Sequence, residues 1–419
     1  MTPATSQLDL IAIRSRFPAL SARENGRLVS YLDGPGGSQV PREVLDAMLG
    51  YLERDNANLG GAFRASRASD DVIEAGRAAI ADLVGGNPDE IAFGANMTTL
   101  NFLLAHAVTR TFEPGDEIIT TWLDHDANVS PWLLVAQDRG LVVHQLGVVE
   151  PDLDLDLDEL EDLISERTRV VAFTLASNAV GTIPDARRVA ELAHRVGALA
   201  WADAVHFAPH RRIDVASLGV DVLLCSPYKF FGPHLGCAWA RKELLESWPA
   251  DRVRPADELP AGHRFETGTQ SHEAIAAATA AVEYIASLGE GADRRSRLDD
   301  AYARIRAYEE DLSAHALRRL SAIPGLSVYG ISDPASVGKR TATFCVTLEA
   351  HAPRALAEAL AAESIASWDG NYYALSIMQR LGLEEHGGGL RIGFLHYTTL
   401  EEVDRAIDVL ERLATSRAV

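Results

Sequence analysis

Between Ile91 and Ala240, short runs of continuous Val, Ile and Leu alternate with longer stretches whose apolar residues recur every three or four positions. The runs predict strands at Ile91 to Phe93, Glu117 to Trp122, Val142 to Leu146, Val170 to Leu175, Leu199 to Asp203 and Val222 to Cys225. A further apolar run extends from Leu235 to Ala240. The periodic stretches predict helices over Thr98 to Thr111, Asn128 to Arg139, Leu157 to Arg167 and Val189 to Val196. Strands that are apolar on both faces and alternate with helices predict an α/β class: a mainly parallel sheet with helices on both faces. Ligands of such sheets bind beyond the carboxyl ends of the strands. Polar residues just after each strand are therefore where chemistry is expected.

Outside this block the pattern differs. Residues 1 to 30, with Arg14, Arg16 and Phe17, predict a short helix packing back on the body. A brief strand at Tyr31-Leu32-Asp33 runs into the turn Gly34-Pro35-Gly36-Gly37. A helix opened by Pro41 reaches Arg54, a glycine-containing loop covers 58 to 66, and a helix runs from Asp70 to Leu83 before Gly85-Gly86. An alanine-rich helix, Glu273 to Ser287, precedes a charged one from about Gly291 to Ser321. After Pro324-Gly325, short strands (Ser327 to Tyr329, Thr341 to Leu348, Ala366 to Ser367, Leu390 to Gly393) alternate with helices at Pro353 to Glu363 and Glu401 to Arg417. This predicts a smaller α+β C-terminal domain over 290–419, a large domain over 31–289, and an N-terminal segment, 1–30, that packs with the small domain.

The strand ends collect an unusual set of side chains. Asn96-Met97-Thr98-Thr99 opens a helix, whose backbone N–H groups suit a phosphate. His125 follows the strand that ends at Trp122, Asn178 follows the strand Val170 to Leu175, and Asp203-x-x-His206 closes an apolar strand. Ser226-Pro227-Tyr228-Lys229 follows Val222 to Cys225. The chain holds only three lysines, and Lys229 alone sits among strand ends and aromatics. A desolvated amine has a lowered pKa and can attack an aldehyde. Singly, each residue has a plain structural reading: a surface lysine at a turn, a helix cap, a hydrogen-bonded buried aspartate. Together they match a cofactor that carries a phosphate, an aromatic ring nitrogen and an aldehyde. No GxGxxG lies between a strand and a helix, which weakens a dinucleotide-binding reading. The Asp152 to Asp158 alternation lacks the glycine and glutamate of a calcium loop, and no metal site is expected.

Charge and cysteine usage narrow the partners. A net charge of −21 disfavours nucleic acid and anionic membranes. Cys225, Cys237 and Cys345 all sit in apolar runs without a CxxC pair, which suits a reducing compartment. Met1 to Phe17 has no apolar segment long enough for a signal peptide, and no run is long enough to span a bilayer. The expected location is the cytoplasm.

With these residues in place, the chain resembles the class V aminotransferase type of pyridoxal-phosphate enzymes, most closely the cysteine desulfurase-like proteins. The likeness runs from Tyr31-Leu32-Asp33 to His396-Tyr397-Thr398-Thr399-Leu400-Glu401. It implies fold type I, with pyridoxal 5'-phosphate as cofactor and a small α-amino acid as substrate. It makes Lys229 the Schiff-base lysine and Asp203 the partner of the pyridine nitrogen. By the same likeness, His125 is expected to stack on the ring, and Asn178 and His206 to lie near the ring oxygen. Met97, Thr98, Ser226 and His206 are expected to hold the phosphate, and Arg391 to grip the substrate carboxylate. Arg264-Phe265-Glu266-Thr267-Gly268-Thr269-Gln270 resembles a loop whose threonine, Thr269, reaches the neighbouring subunit's phosphate, which implies a homodimer. Two departures stand out. Tyr228 replaces a histidine common before the lysine. In Trp368-Asp369-Gly370-Asn371-Tyr372-Tyr373-Ala374, Tyr373 stands where desulfurases of this type carry a sulfur-accepting cysteine. Tyr373 is then expected to line the substrate pocket. The expected reaction is C–S cleavage by β-elimination; transamination, epimerisation and a non-catalytic cofactor-binding role are the alternatives.

Overall fold

The structure is a computed structural model that describes residues 8–415. Seven strands form the central sheet: β1 (Ile91–Gly94), β2 (Glu117–Thr121), β3 (Val142–Leu146), β4 (Thr168–Thr174), β5 (Leu199–Asp203), β6 (Val222–Cys225) and β7 (Gly236–Ala240). Their order is β1-β7-β6-β5-β4-β2-β3. All run parallel except β7, which is antiparallel to both neighbours. The continuous apolar runs follow from burial on two sides. Ile119, Val171, Phe173 and Leu223 face one core with the helices Arg64–Val84, Ala186–Arg195 and His272–Ala286. Their neighbours Ile118, Val170, Ala172 and Leu224 face another, against Met97–Thr109 and Ser130–Arg139.

A second, four-stranded sheet comprises β8 (Leu326–Tyr329), β9 (Thr343–Leu348), β10 (Trp368–Gly370) and β11 (Gly389–Gly393), in the order β8-β9-β11-β10. Helices Pro353–Ala362 and Leu400–Thr415 pack with it. Ser30–Tyr31 pairs with Ile365–Ala366, and Asp33 bridges to Gly393. The N-terminal strand is thus tied to this sheet, and the turn after it is carried to the ends of the central strands. No described helix is long and apolar enough to cross a membrane.

Several boundaries differ from the sequence-based expectation. The helix expected from Asp70 begins at Arg64, because Ser66 and Ser69 bond back to the Asn58 and Ala57 carbonyls and make the preceding loop part of the helix start. The helix expected to reach Arg167 stops at Leu163, before a turn closed by Ser165 and Thr168. The strand expected at Ala366 to Ser367 is Ile365–Ala366, and it pairs outside the four-stranded sheet. The final helix is described to Thr415, so Arg417 lies outside the described residues.

Two close contacts set the geometry at the strand ends. A Cβ on Gly236 would lie 2.3 Å from the Asn96 carbonyl carbon, so only glycine lets β7 press against the start of Met97–Thr109. Arg77 makes a buried fork to Glu266 at 2.7 and 2.8 Å, while Glu266 also accepts the Phe93 N–H at 2.9 Å. This pair pins the Glu266-Thr267-Gly268-Thr269 segment to β1. Arg77→Met leaves the buried Glu266 carboxylate with only His263, 2.8 Å from Oε2, as a side-chain partner and should cost about 3 kcal/mol in urea unfolding. An Arg77→Met/Glu266→Met double variant should lose less than the sum of the single losses; strict additivity would show that the pair is not coupled.

Candidate active site

The carboxyl ends of the central strands open into a cavity of about 630 Å³. Every site residue named from the sequence lines it, except Thr269. Thr269 is exposed on its loop, away from this cavity.

Lys229 sits in a short helical turn directly after β6, which aims its side chain back across the strand ends. Its Nζ donates to the Gly36 carbonyl at 3.0 Å and to the Pro35 carbonyl. Burial, aided by the nearby Arg391 cation, pulls the amine down to about 7, against the pull of Asp33 and Asp203. Asp203 ends β5, and its Oδ1 accepts the Val205 N–H at 2.8 Å. Burial raises its carboxyl to about 6, an effect that the Val205 bond and the Lys229 charge oppose.

His125 precedes the turn Asp126–Asn128, and its Nδ1 accepts the Ala127 N–H at 3.0 Å. Burial and the two cations, Lys229 and Arg391, lower the imidazole to about 4, so the ring is neutral near pH 7. Beneath it, Asp124 is buried and bonds to Thr121 and, at 2.8 Å, to Asn128 Nδ2. Asn128 contacts Asn101, which accepts the Trp201 N–H at 2.9 Å. This buried chain connects the His125 turn with the strand that ends in Asp203. His206 is also buried, and burial and His210 push it well below its usual range. Its Nε2 lies 2.9 Å from Thr343 Oγ1 and 3.2 Å from Thr341 Oγ1.

At one wall stands the start of Met97–Thr109, where Asn96 caps the Thr99 N–H at 2.8 Å. The Met97 and Thr98 N–H groups, in the first turn, have no intrahelical acceptor and carry the positive end of the helix dipole. Buried Ser226 lies in the same lining. At another wall Arg391, on β11, donates to the Asn178 carbonyl at 3.0 Å and stands 3.8 Å from Asp33. Its Nε and the Asn178 Oδ1 are buried without partners. Two tyrosines complete the lining. Tyr373 stacks on His125 with ring centres 5.5 Å apart, while Tyr372 is buried beside Arg391.

Asp33, with the Pro35 and Gly36 carbonyls, was not singled out from the sequence as part of the site. The signal was present: a carboxylate and a Gly/Pro turn directly after a strand, as at the other strand ends. The strand was simply too short to be read as one of the set.

The site fits pyridoxal phosphate on its own chemistry: free helix-start N–H groups for an anion, an orphaned amide oxygen, a buried carboxylate and a desolvated amine share one cavity. The aminotransferase class-V family model matches residues 30–406. The chain is 32% identical over 423 residues to a cysteine desulfurase of Synechococcus elongatus, covering 97% of this chain and 64% of that protein. It is 32% identical over 432 residues to a probable cysteine desulfurase of Streptomyces coelicolor, covering 99% of each. The chain thus spans less than two thirds of the Synechococcus relative, and 59% of a similar Mycolicibacterium paratuberculosis protein. Among solved structures, an apo cysteine desulfurase from Thermococcus onnurineus superposes with a TM-score of 0.86 at 25% identity, covering 97% of this chain and 98% of that one. The Escherichia coli cysteine desulfurase CsdA gives 0.82 at 25% identity, with 96% and 98% covered. Sequence and architecture agree: this chain belongs to the class-V aminotransferase family of pyridoxal-phosphate-dependent enzymes, in its cysteine desulfurase-like group, with fold type I.

Proposed function

We propose that the chain binds pyridoxal 5'-phosphate and cleaves the C–S bond of a small β-thio α-amino acid such as cysteine, releasing the sulfur as free sulfide. The observation that carries this reading is the meeting of Lys229, Asp203, His125 and Arg391 in one cavity that no thiol enters. When bound, the cofactor supplies an aldehyde that captures an amine and a protonated heterocycle that accepts an electron pair. Met97, Thr98 and Ser226 would hold its phosphate and Asp203 would keep the proton on the ring nitrogen; His206, expected to share the phosphate, directs its Nε2 to Thr343 and Thr341. Asn178 and His206 border the ring oxygen, and neutral His125 covers the ring face. Arg391 binds the substrate carboxylate through its guanidinium fork. Lys229, as a neutral amine, takes the Cα proton.

The sulfur's fate follows from the cysteines. Accepting sulfur from a substrate requires a thiolate in contact with it. Cys225 and Cys237 face each other inside the central sheet, and Cys345 lies behind Tyr372, its thiol pushed up to about 12 by burial. All three are free and buried. The C–S electron pair therefore leaves with sulfur, and the balance is cysteine plus water giving pyruvate, ammonium and hydrogen sulfide. Three unpaired thiols also suit a cytoplasmic location.

We propose further that two copies pair, each lending Thr269 to the other's phosphate site. The exposure of the Thr269 loop supports this, as does the exposed apolar row Leu45, Leu49 and Leu52 on helix Arg42–Arg54. Tyr373 borders the substrate space.

With L-cysteine, sulfide, pyruvate and ammonium should form in equal amounts, and a Cys225→Ser/Cys237→Ser/Cys345→Ser variant that remains folded should keep the activity. Alanine as product with a protein-bound persulfide would overturn the reading. Arg391→Met should raise KM on the order of 100-fold. Because only the neutral amine attacks an aldehyde, capture of pyridoxal phosphate by cofactor-free protein should accelerate with rising pH through about 7 and level above it. A midpoint near the ordinary lysine value of ~10 would remove the desolvation argument. Finally, mixing inactive Lys229→Ala subunits with Thr269→Ala subunits should restore one complete site per pair; no recovery would show that Thr269 does not act across subunits.

A further inference from the structure

Tyr372 and Tyr373 are consecutive non-glycine residues in the left-handed region, with φ of +55° and +57°. That backbone is unfavourable for L side chains and persists only when its surroundings hold it. Here the hold is specific. Asn178 Nδ2 donates to the Tyr372 carbonyl at 2.9 Å, and the Asp126 N–H donates to the Tyr373 carbonyl at 2.6 Å. The Tyr372 hydroxyl donates to the Gly389 carbonyl. The double twist sends the two rings opposite ways: Tyr373 is 73% exposed, Tyr372 only 5%.

The buried ring lands on one face of β11. Gly389 and Arg391, two residues apart, share that face, and a Cβ on Gly389 would sit 3.2 Å from the Tyr372 hydroxyl. The guanidinium carbon of Arg391 lies 4.4 Å from the centre of the Tyr372 ring. A desolvated guanidinium over an aromatic face is attracted to it, and a flat shelf removes rotamers from a long side chain. Asn178 joins the two, because its amide holds the Tyr372 carbonyl while its own carbonyl accepts Arg391 Nη1 at 3.0 Å. The hydroxyl, occupied by Gly389, is directed away from acid–base work.

We infer that Tyr372 is a positioning residue for the carboxylate-binding arginine: its ring, locked by Asn178 and Gly389, fixes Arg391 in the geometry that receives an amino-acid carboxylate. The inference rests on the assignment of Arg391 to that carboxylate. Seating the 371–374 loop and completing the carboxylate site are then one event.

The test uses the holoenzyme and two probes, L-alanine and ethylamine, which share an amine and differ in the carboxylate. Each is titrated against the cofactor's absorbance. Tyr372→Leu should weaken L-alanine about 10- to 30-fold and leave ethylamine unchanged. Tyr372→Phe, which keeps the ring, should stay within about threefold for both. Should the leucine variant not fold, Tyr372→Met keeps the volume without the π face. Equal weakening of both probes, or none, overturns the inference, whereas Arg391→Met would still abolish the preference for L-alanine. If the parent enzyme shows no preference for L-alanine over ethylamine, the Arg391 assignment falls, and this inference with it.

Discussion

An amine kept from water is the interaction on which the site depends. Lys229 is 9% exposed and lies within reach of Arg391's charge, so its protonated form is disfavoured twice, by lost hydration and by like charge. What partly compensates is the charge of Asp33 and Asp203, together with a pair of backbone carbonyls from Pro35 and Gly36, some 194 positions away in sequence. A carbonyl stabilises an N–H donor without adding a full negative charge, so the amine is held in place while its proton remains easy to lose. Asp203 answers in the opposite sense, with burial pushing its carboxyl up while Lys229 pulls it down. The two groups are poised near neutrality by the same enclosure, and neither value would survive opening the cavity to solvent.

That enclosure explains what was legible in the sequence. Continuous apolar runs such as Val222 to Cys225 marked strands buried on both faces, and the polar residue closing each run marked the cavity rim. His125, Asn178, Asp203, Ser226 and Lys229 came from that single rule, and all line the cavity. Asp33 follows the same rule but closes a strand of only two residues, Ser30–Tyr31, whose partner at Ile365–Ala366 is more than three hundred positions away. Local pattern carries no sign of such a pairing. The start of the Arg64–Val84 helix was hidden for a different reason. Ser66 and Ser69 are common in loops, and only their bonds to Asn58 and Ala57 make them part of a helix start.

The Asp124-Asn128-Asn101-Trp201 chain shows a further layer that sequence could not reveal. Trp201 belongs to β5 and points into the core opposite Ala202, yet its indole N–H is satisfied only by an asparagine from helix Met97–Thr109. Since that asparagine also contacts the turn after His125, the core side of β5 and the stacking histidine share one hydrogen-bonded support. A buried polar chain of this kind is costly unless complete, and completeness fixes the relative placement of the elements it joins.

The loop that bears Tyr372 and Tyr373 ties reaction type to mechanics. A loop that accepts sulfur and hands it to another protein must carry a nucleophile at its tip and leave the cavity with it. This one carries phenols, is bonded through two consecutive carbonyls to Asn178 and Asp126, and has one ring wedged beneath Arg391. Opening it would expose a buried ring and separate the arginine from its shelf, so the carboxylate binding proposed for Arg391 would oppose that motion. Such a loop suits chemistry whose products are small enough to diffuse out past a fixed rim. Free sulfide is such a product, and a protein-bound persulfide is not.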